Sequence, residues 1–143
     1  METTTFELAS GDRRVVDLTD RVAGWLRGKG DGLCHVFLPH ATAGLALIEL
    51  GAGTERDVEA ALEDLLPRDE RWVHRHGSPG HGADHVLPLL VSPSLTIPVL
   101  RGVMALGTWQ SLALIDTNVD NARRTVRLSF LSGQVPQHTE RPA

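Results

Sequence analysis

Apolar positions change their spacing several times along the chain, and each change marks a predicted element. The opening "TTTFELASGDRRVVDLT" alternates β-formers around a Gly11–Asp12 turn and predicts a hairpin. In "DLTDRVAGWLRGKGDG", Leu18, Val22, Trp25 and Leu26 fall on one helical face, and Gly28 supplies a C-terminal stop. A buried strand is predicted from Leu33 to Leu38, broken at Pro39, with a second apolar run from Leu45. "TERDVEAALEDLLP" gives the clearest helix: Val58, Ala61, Leu62, Leu65 and Leu66 share a face, Thr54 and Asp57 form a capping-box pattern, and Pro67 ends it.

Residues 67–88 are polar and rich in glycine and proline, which predicts a long loop, either functional or disordered. Strands follow in "SLTIPVL", "VMAL" and "TWQSLALID", with an Arg101–Gly102 turn between the first two. The last strand alternates, with Val126, Leu128 and Phe130 on one face and Thr125, Arg127 and Ser129 on the other. Two main helices and a twisted, mostly antiparallel sheet or sandwich make the predicted class α+β. One domain is expected over residues 1–143, with an ordered core of about 5–133 and a polar tail at 134–143.

Composition narrows the function classes. The 143-residue chain is 41% hydrophobic and 22% charged, ordinary values for a folded domain. A formal net charge of −4 argues against nucleic acid or an anionic membrane as the main partner. Cys34 stands alone, so no disulfide forms within the chain, and no stretch reads as a signal peptide or membrane span. A cytoplasmic protein is expected.

The candidate chemistry lies in "HRHGSPGHGADH", residues 74–85, which holds four of the seven histidines. With His40, at the end of the buried strand, His74, His76, His81 and His85 are candidate metal ligands. A solvated loop that carries several histidines is the equally weighted alternative, since the spacing matches no standard helical metal motif. His35, inside a strand, reads as structural, and His138 as a solvent-facing tail residue. Thr42 adds a hydroxyl beside His40, or simply a turn residue. Asp84, next to His85, offers an orienting carboxylate, although neighbours on a strand would point apart.

"PHATAG" (39–44), "SLTIPV" (94–99), "GTWQ" (107–110) and the Arg123–Arg124 pair occur in the order found in YjbQ-like proteins, a family also labelled secondary thiamine-phosphate synthase. The chain resembles that family from about residue 5 to 133. The resemblance implies a compact α+β homotrimer with a histidine-lined metal pocket. It implies a divalent metal, zinc being the expected ion, on His40, His85 and His74, with His76 as the alternative to His74. Glu49 would then act as general base and Arg124 would neutralise phosphate charge, while Thr42, Gln110 and Arg123 would bind substrate.

The implied activity is metal-dependent chemistry on a small phosphorylated metabolite, including the coupling of a pyrimidine pyrophosphate to a thiazole phosphate. The alternative is a non-catalytic trimer that holds a metal or an anion. Ile48 and Leu50 favour this second reading, because they stand where the family usually has asparagines.

Overall fold

The computed structural model describes residues 1–133, so His138 and the expected polar tail lie outside the described residues. The expected α+β class is what the chain adopts, built from eight strands and three helices among those residues. In chain order these are β1 (Glu2–Ala9), β2 (Val15–Asp17), α1 (Thr19–Leu26), β3 (Gly32–Phe37), β4 (Ala43–Ile48), α2 (Thr54–Leu65), α3 (His81–Leu90), β5 (Ser94–Leu100), β6 (Val103–Met104), β7 (Ser111–Asp116) and β8 (Arg123–Ser132). Every strand pairing is antiparallel: five strands form one sheet in the order β1-β8-β3-β5-β6, and three form another, β2-β7-β4.

The main core fills the space between the sheets and is closed by α1. Val22 and Leu26 of α1 pack there with Cys34 and Val36, Leu112 and Leu114, and Val126, Leu128 and Phe130. Strand β7 is buried on both faces. Its even positions join that core, while Ala113 and Ile115 face a second cluster with Leu62 and Leu66 at α2 and with Ala83 and Leu87 of α3. The small sheet is therefore the middle layer, and α2 and α3 cover its outer side. None of the described helices is long and apolar enough to cross a membrane.

Three local expectations are corrected. The opening segments do not form a hairpin: β1 pairs with β8 and β2 with β7. The Gly11–Asp12 turn instead passes the chain from one sheet to the other, because Phe6, Leu8 and Val16 all pack on the core between the sheets. Helix α2 starts at Thr54 with no side-chain cap. Gly53 takes the N-cap position at φ 100°, and Glu55 accepts a bond from the Gly51 N–H at 2.9 Å.

The third correction decides the site. The expected loop over 67–88 ends at Gly80, and α3 follows, making three helices where two were expected. Gly82 and Pro88 both disfavour a helix in isolation. Burial of Ala83 and Leu87 against the middle sheet provides the compensating contacts.

Candidate metal centre

Helix α3 places His81 and His85 one turn apart on one face, four positions being close to a full turn. Their Nε2 atoms lie 3.0 Å apart. The preceding segment folds back over this face. Trp72 donates its indole N–H to the Pro67 carbonyl at 2.8 Å, and Gly82 lets the segment sit directly on the helix. A Cβ at Gly82 would collide with the Trp72 Cβ and lie 2.9 Å from the His74 carbonyl oxygen. That close approach brings the His74 ring to 4.2 Å from the His85 ring and the His76 ring to 4.1 Å from the His74 ring, centroid to centroid. The result is a cluster of four imidazoles, His74, His76, His81 and His85, with one nitrogen of each within 4.8 Å of all the others.

The cluster is graded in burial: His81 is buried, His85 half-buried, and His74 and His76 exposed. It borders a cavity of about 380 Å³ lined by Arg68, Trp72, His74, Arg75, Ser78 and His81 among others. Desolvation, then the neighbouring His76 and His81, holds the His74 imidazole below its ordinary 6.5. Desolvation followed by His74, His81 and His76 does the same for His85, against the pull of Asp84. Both lone pairs are thus favoured over the cationic form near neutral pH.

These shifts set a pH dependence. The folded chain resists protonation at His74 and His85, so the unfolded chain binds more protons just below pH 6.5. The stabilising contribution is fully present above 6.5 and is lost as pH falls through the lowered folded values. Urea midpoints of metal-stripped protein should therefore fall on acidification from about pH 7 to about pH 5, and fall less steeply in a His74→Gln/His85→Gln variant. Parallel slopes would rule out the cluster as the source.

The structure distributes the remaining expected site residues elsewhere. His40 is not among the clustered histidines. Its Nε2 accepts the Thr125 backbone N–H at 2.7 Å, which occupies that lone pair and leaves the ring proton on Nδ1. Burial and the adjacent Arg124 guanidinium keep it below 6.5, with Asp116 opposing. Arg124 is 1% exposed and grips Asp116 with two bonds, Nε to Oδ2 at 2.6 Å and Nη2 to Oδ1 at 2.7 Å. Ser10 Oγ and the Asn118 N–H also donate to that carboxylate. Arg123 is exposed and lies 3.6 Å from Glu7. Thr42 is buried and accepts from Asn118 Nδ2 at 3.0 Å, and Glu49 is exposed just beyond β4.

Gln110 folds back so that its Oε1 accepts the Gly107 N–H at 2.8 Å, within a turn that leaves Trp109 exposed ahead of β7. His35 is exposed and hydrogen-bonded to Thr96 Oγ1 at 2.9 Å. Asp84 sits on a helix, where it faces His81, three positions back, with its Oδ2 3.4 Å from His81 Nδ1. Sequence reasoning missed the role of α3. The available signal was the His81-x-x-x-His85 spacing together with Ala83 and Leu87 on the neighbouring helical face.

Comparison with known proteins places the chain. A UPF0047 protein of Mycobacterium tuberculosis is 56% identical over 133 residues, covering 93% of this chain and 100% of the relative. A UPF0047 protein of Methanothermobacter thermautotrophicus is 34% identical over 134 residues, covering 90% and 92%. The crystal structure of a hypothetical protein from Aeropyrum pernix superposes with a TM-score of 0.84 at 30% identity, covering 93% of this chain and all of that one. A YbjQ-like protein of unknown function from Sulfolobus solfataricus shares the fold, with a TM-score of 0.84 at 20% identity over 92% of this chain and 97% of that one.

These findings correct the expected function. The relatives are described as UPF0047, hypothetical or of unknown function, and nothing in those descriptions supports the metal-dependent phosphate chemistry or thiamine-phosphate synthase activity that the resemblance implied. The geometry agrees, since the arginine named to neutralise phosphate is buried and already bound to the Asp116 carboxylate by two bonds. The model described as UPF0047 protein YjbQ-like matches residues 4–133, and with relatives this similar over nearly the whole chain, the chain belongs to that family.

Proposed function

We propose that the protein binds a divalent transition-metal ion, with zinc as the expected ion, through His74, His76, His81 and His85. The observation that carries this reading is the convergence of four imidazole nitrogens within 4.8 Å. Zinc–nitrogen bonds of about 2.0–2.1 Å in a tetrahedron place the nitrogens about 3.3 Å apart. His81 and His85 already stand at 3.0 Å, so binding requires the exposed pair to move inward. An all-imidazole set suits zinc, nickel, copper or iron and disfavours magnesium and calcium, which take oxygen ligands.

An ion held this way would tie the 74–76 segment to α3 and stabilise the fold by mass action. At a free concentration a hundred times the dissociation constant the gain is about 2.7 kcal/mol, or roughly 5–10 °C in melting temperature for a domain of this size. The test is a calorimetric titration of chelator-stripped, untagged protein with zinc chloride, with magnesium chloride run in parallel. One zinc per chain, a raised melting temperature and no magnesium response are expected. No zinc uptake would overturn the reading.

A further inference from the structure

His81 is the most buried member of the cluster, and its two ring nitrogens face different surroundings. Nε2 looks across to His85 at 3.0 Å. Nδ1 looks toward two carboxylates: Asp120 Oδ2 at 2.8 Å and Asp84 Oδ2 at 3.4 Å. Asp84 is committed elsewhere, because its Oδ1 accepts from Arg68 and from Thr117 Oγ1. Neither His81 Nδ1 nor Asp84 Oδ2 has an aligned hydrogen-bond partner among the described residues, although both are buried. The Asp120 contact is therefore within ion-pair distance but not aligned as a hydrogen bond.

Asp120 reaches this position from the loop between β7 and β8, well away from α3 in sequence. Its Oδ2 accepts the Ser78 N–H and Ser78 Oγ, each at 3.1 Å, which fixes the carboxylate above the segment leading into α3. Gly77, at φ 80°, makes room for it: a Cβ there would lie 2.6 Å from that same oxygen. A carboxylate has thus been admitted to the outer nitrogen of an imidazole whose inner nitrogen faces the cluster.

We infer that Asp120 is a positioning residue of the histidine cluster, holding the proton of His81 on Nδ1 so that the Nε2 lone pair is presented to the metal. The inference rests on the metal-binding reading above. Its physical content is that a carboxylate on the far nitrogen selects the tautomer, fixes the ring and increases its basicity toward a cation. Asp84 stands behind Asp120 as a second, more distant carboxylate on the same nitrogen.

The test combines nitrogen-15 NMR of the histidine rings in chelator-stripped protein with zinc titration of wild type, Asp120→Ala and Ser78→Ala. In the wild type His81 should be the Nδ1–H tautomer. Asp120→Ala, which leaves no acceptor at that position, should shift it toward Nε2–H and weaken zinc binding by roughly 10–100-fold while amide spectra show the fold retained. Ser78→Ala loosens the loop anchor without touching Nδ1 and should leave the tautomer unchanged. An unmoved His81 tautomer in Asp120→Ala overturns the inference, even where zinc binding weakens, since that would assign Asp120 to anchoring the loop alone. The tautomer is read without metal, so a wild type that takes up no zinc refutes the metal-binding reading while this readout still decides what Asp120 does to the ring.

Discussion

Replacing His85 with alanine is expected to remove measurable zinc binding, and replacing His40 with alanine is expected to leave the zinc stoichiometry unchanged. His85 links the helix to the preceding segment: its Nε2 is 3.0 Å from that of His81, and its ring centroid is 4.2 Å from that of His74. Removing a hydrogen-bonding partner of a ligand typically weakens metal binding by about 10–100-fold, so removing the ligand itself should exceed that range. Because His85 is only half-buried, its loss leaves the layers of the fold intact.

His40→Ala acts differently. It strands the Thr125 N–H and should cost about 1–3 kcal/mol of stability without touching the cluster. Elemental analysis of both variants, with urea denaturation alongside, separates the two effects. Zinc lost in His40→Ala but retained in His76→Ala and His81→Ala would return the site to the set implied by family resemblance.

The largest effect on stability is expected from Arg124→Met. The guanidinium and the Asp116 carboxylate are both buried and joined by two short bonds. Deleting one partner leaves the other charge uncompensated, with Ser10 and Asn118 as its remaining donors. Breaking a buried pair in this way costs about 3–5 kcal/mol. For a domain of this length that lowers the melting temperature by roughly 6–20 °C. Arg124→Met combined with Asp116→Leu should recover part of the loss, because neither charge is then left unpaired. Denaturation curves for the two variants and the wild type give the answer. A single variant as stable as wild type would show that Arg124 does not hold the β7–β8 junction together.

Arg124 also shows how far patterning could be read. The alternation in β8 places Val126, Leu128 and Phe130 inward, and the same parity carried back by two residues points Arg124 inward as well. Its partner, Asp116 at the end of β7, could not be read from local pattern, because the pair depends on how two strands of different sheets meet. The opening segments failed as a hairpin for the same reason. Their alternation was legible, but the choice of β8 and β7 over each other lay in the distant apolar surfaces available to cover them.

For the site, the chain itself determined which side chains are available: four histidines within twelve residues, among glycines that allow close turns. It also determined the class, because the β periodicities and the helical faces of α1 and α2 are short-range patterns that burial preserves. Tertiary structure alone decided that residues 81–90 are helical despite Gly82 and Pro88, since the apolar contacts that offset their poor propensity come from the middle sheet and from Leu62 and Leu66, outside the helix itself. That packing turns His81 and His85 to one face, and the Trp72 segment pressed against Gly82 brings His74 and His76 over them. It also separates His40 from the cluster by giving its Nε2 a backbone partner on β8. Sequence spacing measures distance along the chain, whereas a metal requires donors that converge in space. That convergence is made by packing between elements far apart in sequence.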